Sequence, residues 1–278
     1  MNARPRIPVW QVDAFAAEAF TGNPAAVCLL NEYPTDRWLQ NVASEMNLSE
    51  TAFVVPTDKP GQFHLRWFTP AAEVDLCGHA TLATAHVLYL AGYASNDQVI
   101  HFRTRSGELP CRQTGDLISL DFPVTPVADT VNEQLAKEVR SSLAVESADV
   151  KQSKFDLVAI VEKEQIVRGL QPDFHRMRKI PTRGIIVTAK SDTTDIDFVS
   201  RFFAPQHQID EDPVTGSAHC CLTPLWAEQL GKTKLVAYQA SQRGGKLLCE
   251  MIGDRVHLSG TACTVWQGQL LTDPPTSP

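Results

Sequence analysis

Two short segments of this 278-residue chain put a glycine beside side chains that move protons. One is Asp75-Leu76-Cys77-Gly78-His79-Ala80-Thr81; the other is Asp212-Pro213-Val214-Thr215-Gly216-Ser217-Ala218-His219. A glycine opening a helix leaves backbone N–H groups without intrahelical partners, and it lets an anion approach them closely. On this reading Gly78, Ala80 and Gly216 are substrate-binding positions. His79 could donate or relay a proton, and Ser217 could cap the helix or donate directly. The plainer alternative is that each glycine only permits a tight turn. Cys77 stands where a helix start can stabilise a thiolate, although most buried cysteines are packing residues. Glu50, in Asn47-Leu48-Ser49-Glu50-Thr51-Ala52-Phe53, is a carboxylate among apolar residues. It is a candidate general acid or base, against the alternative of a solvated glutamate at a helix end. Asp212 before Pro213 is a natural turn residue or a second carboxylate near Gly216. No C-x-x-C or H-x-x-x-H pair offers a metal site by spacing.

The two segments belong to a longer repeat. Arg66-Trp67-Phe68-Thr69-Pro70 precedes the first and Arg201-Phe202-Phe203-Ala204-Pro205 the second, 135 residues later, while the glycines are 138 apart. Arg105 to Cys111 matches Arg243 to Cys249, again at 138. Several matches in one order at nearly one offset predict an internal duplication, with a ligand site expected where two similar domains meet. The boundaries expected are 1–125 and 126–278, the last strand being free to pack on the first domain.

The elements that must position these residues follow from periodicity. Val9 to Phe15, Ala25 to Leu30, Ala52 to Val55 and His64 to Phe68 read as strands, and Asp36 to Met46 as a helix. Glu50 then falls where helix gives way to strand. A helix opens at Gly78 and ends near Gly92, and strands follow at Val99 to Arg103, Glu108 to Arg112 and Leu117 to Phe122. Pro123 to Pro126 resembles a linker, and Val131 to Leu143 a surface helix. The second half repeats the plan: strands at Asp156 to Val161 and Gly184 to Thr188, an uncharged helix from Ser217 to Ala227, and strands around Leu235, Leu247, Val256 and Thr264. The fold class expected is α+β: two pseudo-symmetric domains, each a mostly antiparallel, barrel-like sheet around a central apolar helix.

Composition excludes more than it assigns. A net charge of −7 and the lack of any concentrated basic segment argue against nucleic acid as a partner. The stretch from Leu76 to Asn96 has no charged residue, yet Gly78, His79, Thr81, Thr84 and His86 make a buried soluble helix the better reading than a membrane span. Seven cysteines and no apolar leader in Met1 to Pro8 point to reduced thiols in the cytoplasm.

Taken together, the chain resembles the PhzF family, named for the phenazine-biosynthesis isomerase, within the diaminopimelate-epimerase-like fold. The resemblance runs through Asp13-Ala14-Phe15, Phe20 to Val27, Asn47 to Phe53, Phe68-Thr69-Pro70, Glu73 to Thr81, Leu120 to Pro123, Asp212 to His219 and Gln239 to Gly245. It implies an isomerase working by acid/base chemistry without metal or organic cofactor on a small carboxylated metabolite; a homodimer is one assembly the chain leaves open. Glu50, His79, Asp212 and Ser217 match the family's catalytic positions. In the racemases and epimerases of this fold, a cysteine stands at each glycine turn; here Cys77 holds one position and Thr215 the other. That departure disfavours inversion by two thiols, leaving a Cys77-assisted racemase or a non-catalytic binding protein as the alternatives to a one-base isomerase.

Overall fold

The computed structural model describes residues 6–128 and 130–272. It divides into two compact units: one holds the chain up to Asp121 together with the stretch from Ser259, and the other runs Phe122–Leu258. Both are mixed α+β, with strands outnumbering helices.

In the first unit β1 (Ile7–Ala14) and β2 (Asn23–Leu29) are antiparallel, and α1 (Asp36–Met46) carries the chain across so that β3 (Glu50–Pro56) returns parallel to β2. Strand β4 (Gln62–Phe68) is antiparallel to β3 and to the short β5 (Glu73–Val74). Helix α2 (Gly78–Leu90) follows. Then β6 (Ile100–Thr104) returns parallel to β4, and β7 (Gly107–Thr114) and β8 (Leu117–Pro123) complete an antiparallel meander.

The second unit opens with α3 (Glu133–Leu143) and the antiparallel pair β9 (Asp149–Gln152) and β10 (Leu157–Ile160). Two short helices, α4 (Glu164–Gly169) and α5 (Phe174–Met177), cross to β11 (Ile185–Lys190), parallel to β10. Strand β12 (Phe198–Ala204) is antiparallel to β11 and to β13 (Ile209–Asp212). Helix α6 (Gly216–Leu230) leads to β14 (Lys234–Gln239), parallel to β12, and then to β15 (Gly245–Ile252) and β16 (Arg255–Gly260). The order of pairings is thus the same in both units. Parallel neighbours need a crossover, and each crossover here contains helix. The last strand, β17 (Ala262–Leu270), belongs to the first unit and lies antiparallel along β1.

Details differ from the expectations drawn from sequence, the short strands β5, β9 and β13 among them. The chain changes units after Asp121, within β8, four residues before the boundary expected at residue 125. Helices α4 and α5 fall where the sequence suggested only a connection between strands.

Local causes are plain in the helices. Thr35 caps α1 by accepting from the Trp38 amide, Asn47 ends it in a left-handed conformation, and Trp38, Leu39, Val42 and Ala43 make its buried face. Helix α2 has a continuous buried run from His79 to Ala85, more than a full turn, so no face in that run is left to water. It packs on β1, β2, β3 and β17. Its buried Thr84 hydroxyl is satisfied by donating to the Ala80 carbonyl at 2.7 Å. Helix α6 contains Pro224, which has no N–H for the Cys220 carbonyl one turn back. That carbonyl accepts from the Thr125 amide instead, at 3.2 Å. Among the described residues, no helix is long and apolar enough to cross a membrane.

Candidate functional site

Glu50 is the first residue of β3, His79 the second of α2 and Asn23 the first of β2, so three adjoining elements deliver one cluster. The Nε2 atom of His79 lies 3.1 Å from Glu50 Oε2, a close ion-pair contact rather than an aligned hydrogen bond. Asn23 Nδ2 is 3.0 Å from His79 Nδ1, and Cys77 Sγ is 3.6 Å from the same nitrogen. The Asn23 amide thus meets the ring on the side away from Glu50, and which group donates there follows the ring's protonation. His79 is buried, whereas the Glu50 side chain keeps 14% exposure; the carboxylate is the part of this cluster that a ligand can reach.

The β1–β2 connection that supplies Asn23 is tightly held. Gly22 is left-handed at φ +62, and a Cβ there would stand 2.2 Å from the Ala14 carbonyl oxygen, so only glycine fits. The buried Asp13 carboxylate accepts from the Phe20 amide at 2.7 Å.

Charge in the cluster is set by burial and neighbours. Burial opposes a charge on the His79 ring, but the Cys77 and Glu50 groups beside it outweigh that and hold the imidazole well above its ordinary value. Burial pushes the Cys77 thiol up to about 11, so it is protonated at neutral pH. Glu50, Cys77 and His79 each offer a ligand atom within 4.8 Å of the others. This set has the donor types that hold zinc, although a metal would have to displace the thiol proton.

The second glycine turn carries a different cluster. The Thr215 amide donates to Gln239 Oε1 at 2.8 Å, and Gln239 Nε2 donates to the Asp212 carbonyl at 2.7 Å and to Thr215 Oγ1 at 3.2 Å. The Thr215 hydroxyl donates to the Asp212 carboxylate. Ser217, half-buried, accepts from the Arg183 guanidinium at 3.0 Å. Arg183 also forks onto Asp156, which is 2% exposed and whose carboxyl is pushed up by burial against the pull of that guanidinium.

Gly78 and Gly216 are the first residues of long helices and take no left-handed φ, so a tight turn is not what requires them. Neither helix has a side-chain cap, in contrast to α1 and α3, which Thr35 and Asn132 cap. Ala80 is fully buried in the first turn of α2. The structure therefore brings Glu50, Gly78, His79 and Ala80 together in one unit and Asp212, Gly216 and Ser217 together in the other. Asn23, Gln239, Arg183 and Asp156 join them without having been singled out as site residues. Gly22-Asn23-Pro24 and Gln239 do lie in stretches that carry the family resemblance; Arg183 and Asp156 gave no sequence signal.

Comparison with known proteins adds kinship to this geometry. Residues 12–268 match the family model described as phenazine biosynthesis-like protein, PhzC-PhzF. The chain is 49% identical over 265 residues to an uncharacterized isomerase of Halalkalibacterium halodurans, covering 95% of this chain and 98% of that one. Among solved structures, a PhzF family protein of Enterococcus faecalis aligns with a TM-score of 0.88 at 40% identity, over 96% of this chain and 100% of that one. A hydroxyproline epimerase from Agrobacterium vitis shares the fold, with a TM-score of 0.63 at 12% identity over 99% and 95% of the two chains.

Proposed function

This chain belongs to the phenazine biosynthesis-like (PhzC-PhzF) family and is an isomerase of that family, and we propose that it shifts a proton within a small carboxylated substrate, with Glu50 taking and returning it. The observation that carries this reading is the 3.1 Å approach of His79 Nε2 to Glu50 Oε2, with Asn23 on the far side of the ring. A substrate C–H bond breaks as Glu50 accepts the proton, and the electron pair passes into the adjoining unsaturated or carboxylate system. The same proton, or one exchanged with water, then goes back to another carbon. His79 steadies the carboxylate and can relay its proton. Asp212 and Ser217 complete the proton-moving set, with Ser217 in contact with the substrate, and Gly78, Ala80 and Gly216 are read as binding its carboxylate.

Two features weigh against a thiol racemase. Cys77 holds its proton at neutral pH, and the Thr215 hydroxyl is committed to Asp212. An internal duplication is supported by the shared order of strand pairings and by a repeated ion pair. Arg66 forks onto Glu73 across β4 and β5 at 2.7 Å, and Arg201 forks onto Glu211 across β12 and β13 at 2.6 and 2.9 Å.

The test is deuterium uptake from heavy water by a panel of small carboxylated metabolites, cyclic hydroxy-amino acids included. Glu50→Gln should keep the circular dichroism of the wild type and slow uptake by at least about 100-fold, the usual scale for a lost general base. Undiminished uptake would remove Glu50 from the mechanism. A panel that binds the wild type but exchanges nothing would favour a binding protein.

A further inference from the structure

The function proposed above makes no use of Arg183, a charged side chain that reaches the second glycine turn. Arg183 immediately precedes Gly184 at the start of β11. Its Nε donates to Asp156 Oδ1 at 2.8 Å, and one terminal nitrogen donates both to Asp156 Oδ2 and to Ser217 Oγ, the latter at 3.0 Å. The guanidinium also lies over the rings of Phe155 and Phe202, 5.2 and 5.7 Å from their centroids. Gly184 is what admits Phe202 so closely, because a Cβ there would stand 2.4 Å from its ring. The fork is thus fixed by a buried carboxylate and by two aromatic faces, with Ser217 as its remaining partner.

A guanidinium can only donate. Ser217 Oγ, accepting from Arg183, keeps its own proton and must give it elsewhere, and the neighbouring cation polarises that O–H. Ser217 is therefore an oriented donor rather than a base. The charge of Arg183 is largely answered by Asp156, so what it contributes at the turn is direction more than net charge.

We propose that Arg183, anchored by Asp156, is a positioning residue for Ser217, aiming the serine hydroxyl proton at a carboxylate oxygen of the substrate. This rests on the reading of Gly216 and Ser217 as substrate-binding residues; it is independent of the role given to Glu50.

The experiment uses the whole protein, labelled with nitrogen-15, and sodium formate as the probe. The Gly216 and Ser217 amide resonances are followed during titration, with sodium chloride holding ionic strength constant. Wild type should show a saturable shift. Arg183→Gln combined with Asp156→Asn removes the cation and its buried counter-ion together, and should weaken formate binding about tenfold, the scale of a lost charged hydrogen bond. In a Ser217→Ala background the same pair of substitutions should change binding by less than about twofold, since the effect passes through the serine. No saturable shift in wild type, or an equal loss with and without Ser217, overturns the proposal. If Glu50→Gln abolishes deuterium uptake while formate binding ignores Arg183, the reaction stands and the positioning role falls. If Glu50→Gln keeps full uptake while formate behaves as expected, the positioning role stands and Glu50 leaves the mechanism.

Discussion

Asn23 meets the His79 ring at Nδ1, on the side away from Glu50. Replacing it with leucine removes that polar partner, so the ring is no longer held from behind as it faces the carboxylate. Deuterium uptake should then slow by about tenfold, the scale of a lost hydrogen bond to a charged group. The nitrogen-15 shifts of the His79 ring report its protonation directly; a changed ring spectrum with an unchanged rate would take His79 out of the proton path. Cys77 should behave oppositely. Because burial pushes its thiol up to about 11, Cys77→Ala should leave uptake within about threefold of wild type, the change expected of a residue outside the reaction. A folded alanine variant that loses uptake would restore the thiol mechanism. At this scale the sequence was only partly legible. Glu50 and His79 are 29 residues apart, and no local spacing joins them; the family motifs do. Asn23 reads as a turn residue because it follows a left-handed glycine and precedes a proline, while its contact lies 56 residues away. Arg183 gives no signal at all, since its partners are 27 and 34 residues distant.

Helix α6 contains a second buried histidine, whose effect is on stability. His219 Nδ1 lies 2.8 Å from the Thr215 carbonyl and its ring lies against Phe198, with centroids 5.9 Å apart. Burial holds its pKa down to about 4. The folded value is below the unfolded one, near 6.5, so the unfolded chain binds the extra proton first. Stability from this group is complete above about pH 6.5, falls as pH drops toward 4, and is flat below that, a loss of about 2.5 kcal/mol by pH 4.5. Urea unfolding of wild type and His219→Gln at pH 7.5 and 4.5 should show the acid-side loss smaller in the variant by roughly that amount, since other titrating groups cancel in the comparison. An identical loss in both proteins would mean that His219 takes up its proton in the folded state as readily as in the unfolded one. Elements were the most legible scale. The apolar spacing of α1 marks Asp36 to Met46, and the uncharged runs after Gly78 and Gly216 announce buried helices. Helices α4 and α5, six and four residues long, are too short for a helical period to show. What anchors α4 is tertiary: its buried Glu164 accepts from the Ser191 hydroxyl and the Asp192 amide, both at 2.7 Å.

For the molecule as a whole, the consequential feature is that the first unit is discontinuous in sequence. The repeat offset made two units legible and left the last strand free to join the first, but an alternating strand does not name its partner. The partner is β1, and the two pair along their whole length, from Ile7 opposite Leu270 to Ala14 opposite Ala262. Beside that ladder the Ala16 amide donates to the Thr261 carbonyl at 3.1 Å, and the Thr261 hydroxyl returns a bond to the Ala16 carbonyl at 2.8 Å. Strand β17 itself stays half-exposed, yet it covers a strand whose Val9, Trp10, Val12 and Ala14 are buried. Ending the chain after Gly260 should therefore leave the β1 backbone unpaired on one side, at about 1–3 kcal/mol for each group that water cannot reach. The second unit loses none of the pairings that join β9 to β12 or β14 to β15. Hydrogen exchange should then show β1, β2 and α2 losing protection while β10, β11 and β12 keep theirs, a split expected when cooperative units differ in stability. Loss spread evenly over both sets of strands would mean that the two units unfold as one, and full protection in both would mean that β17 adds nothing to the first.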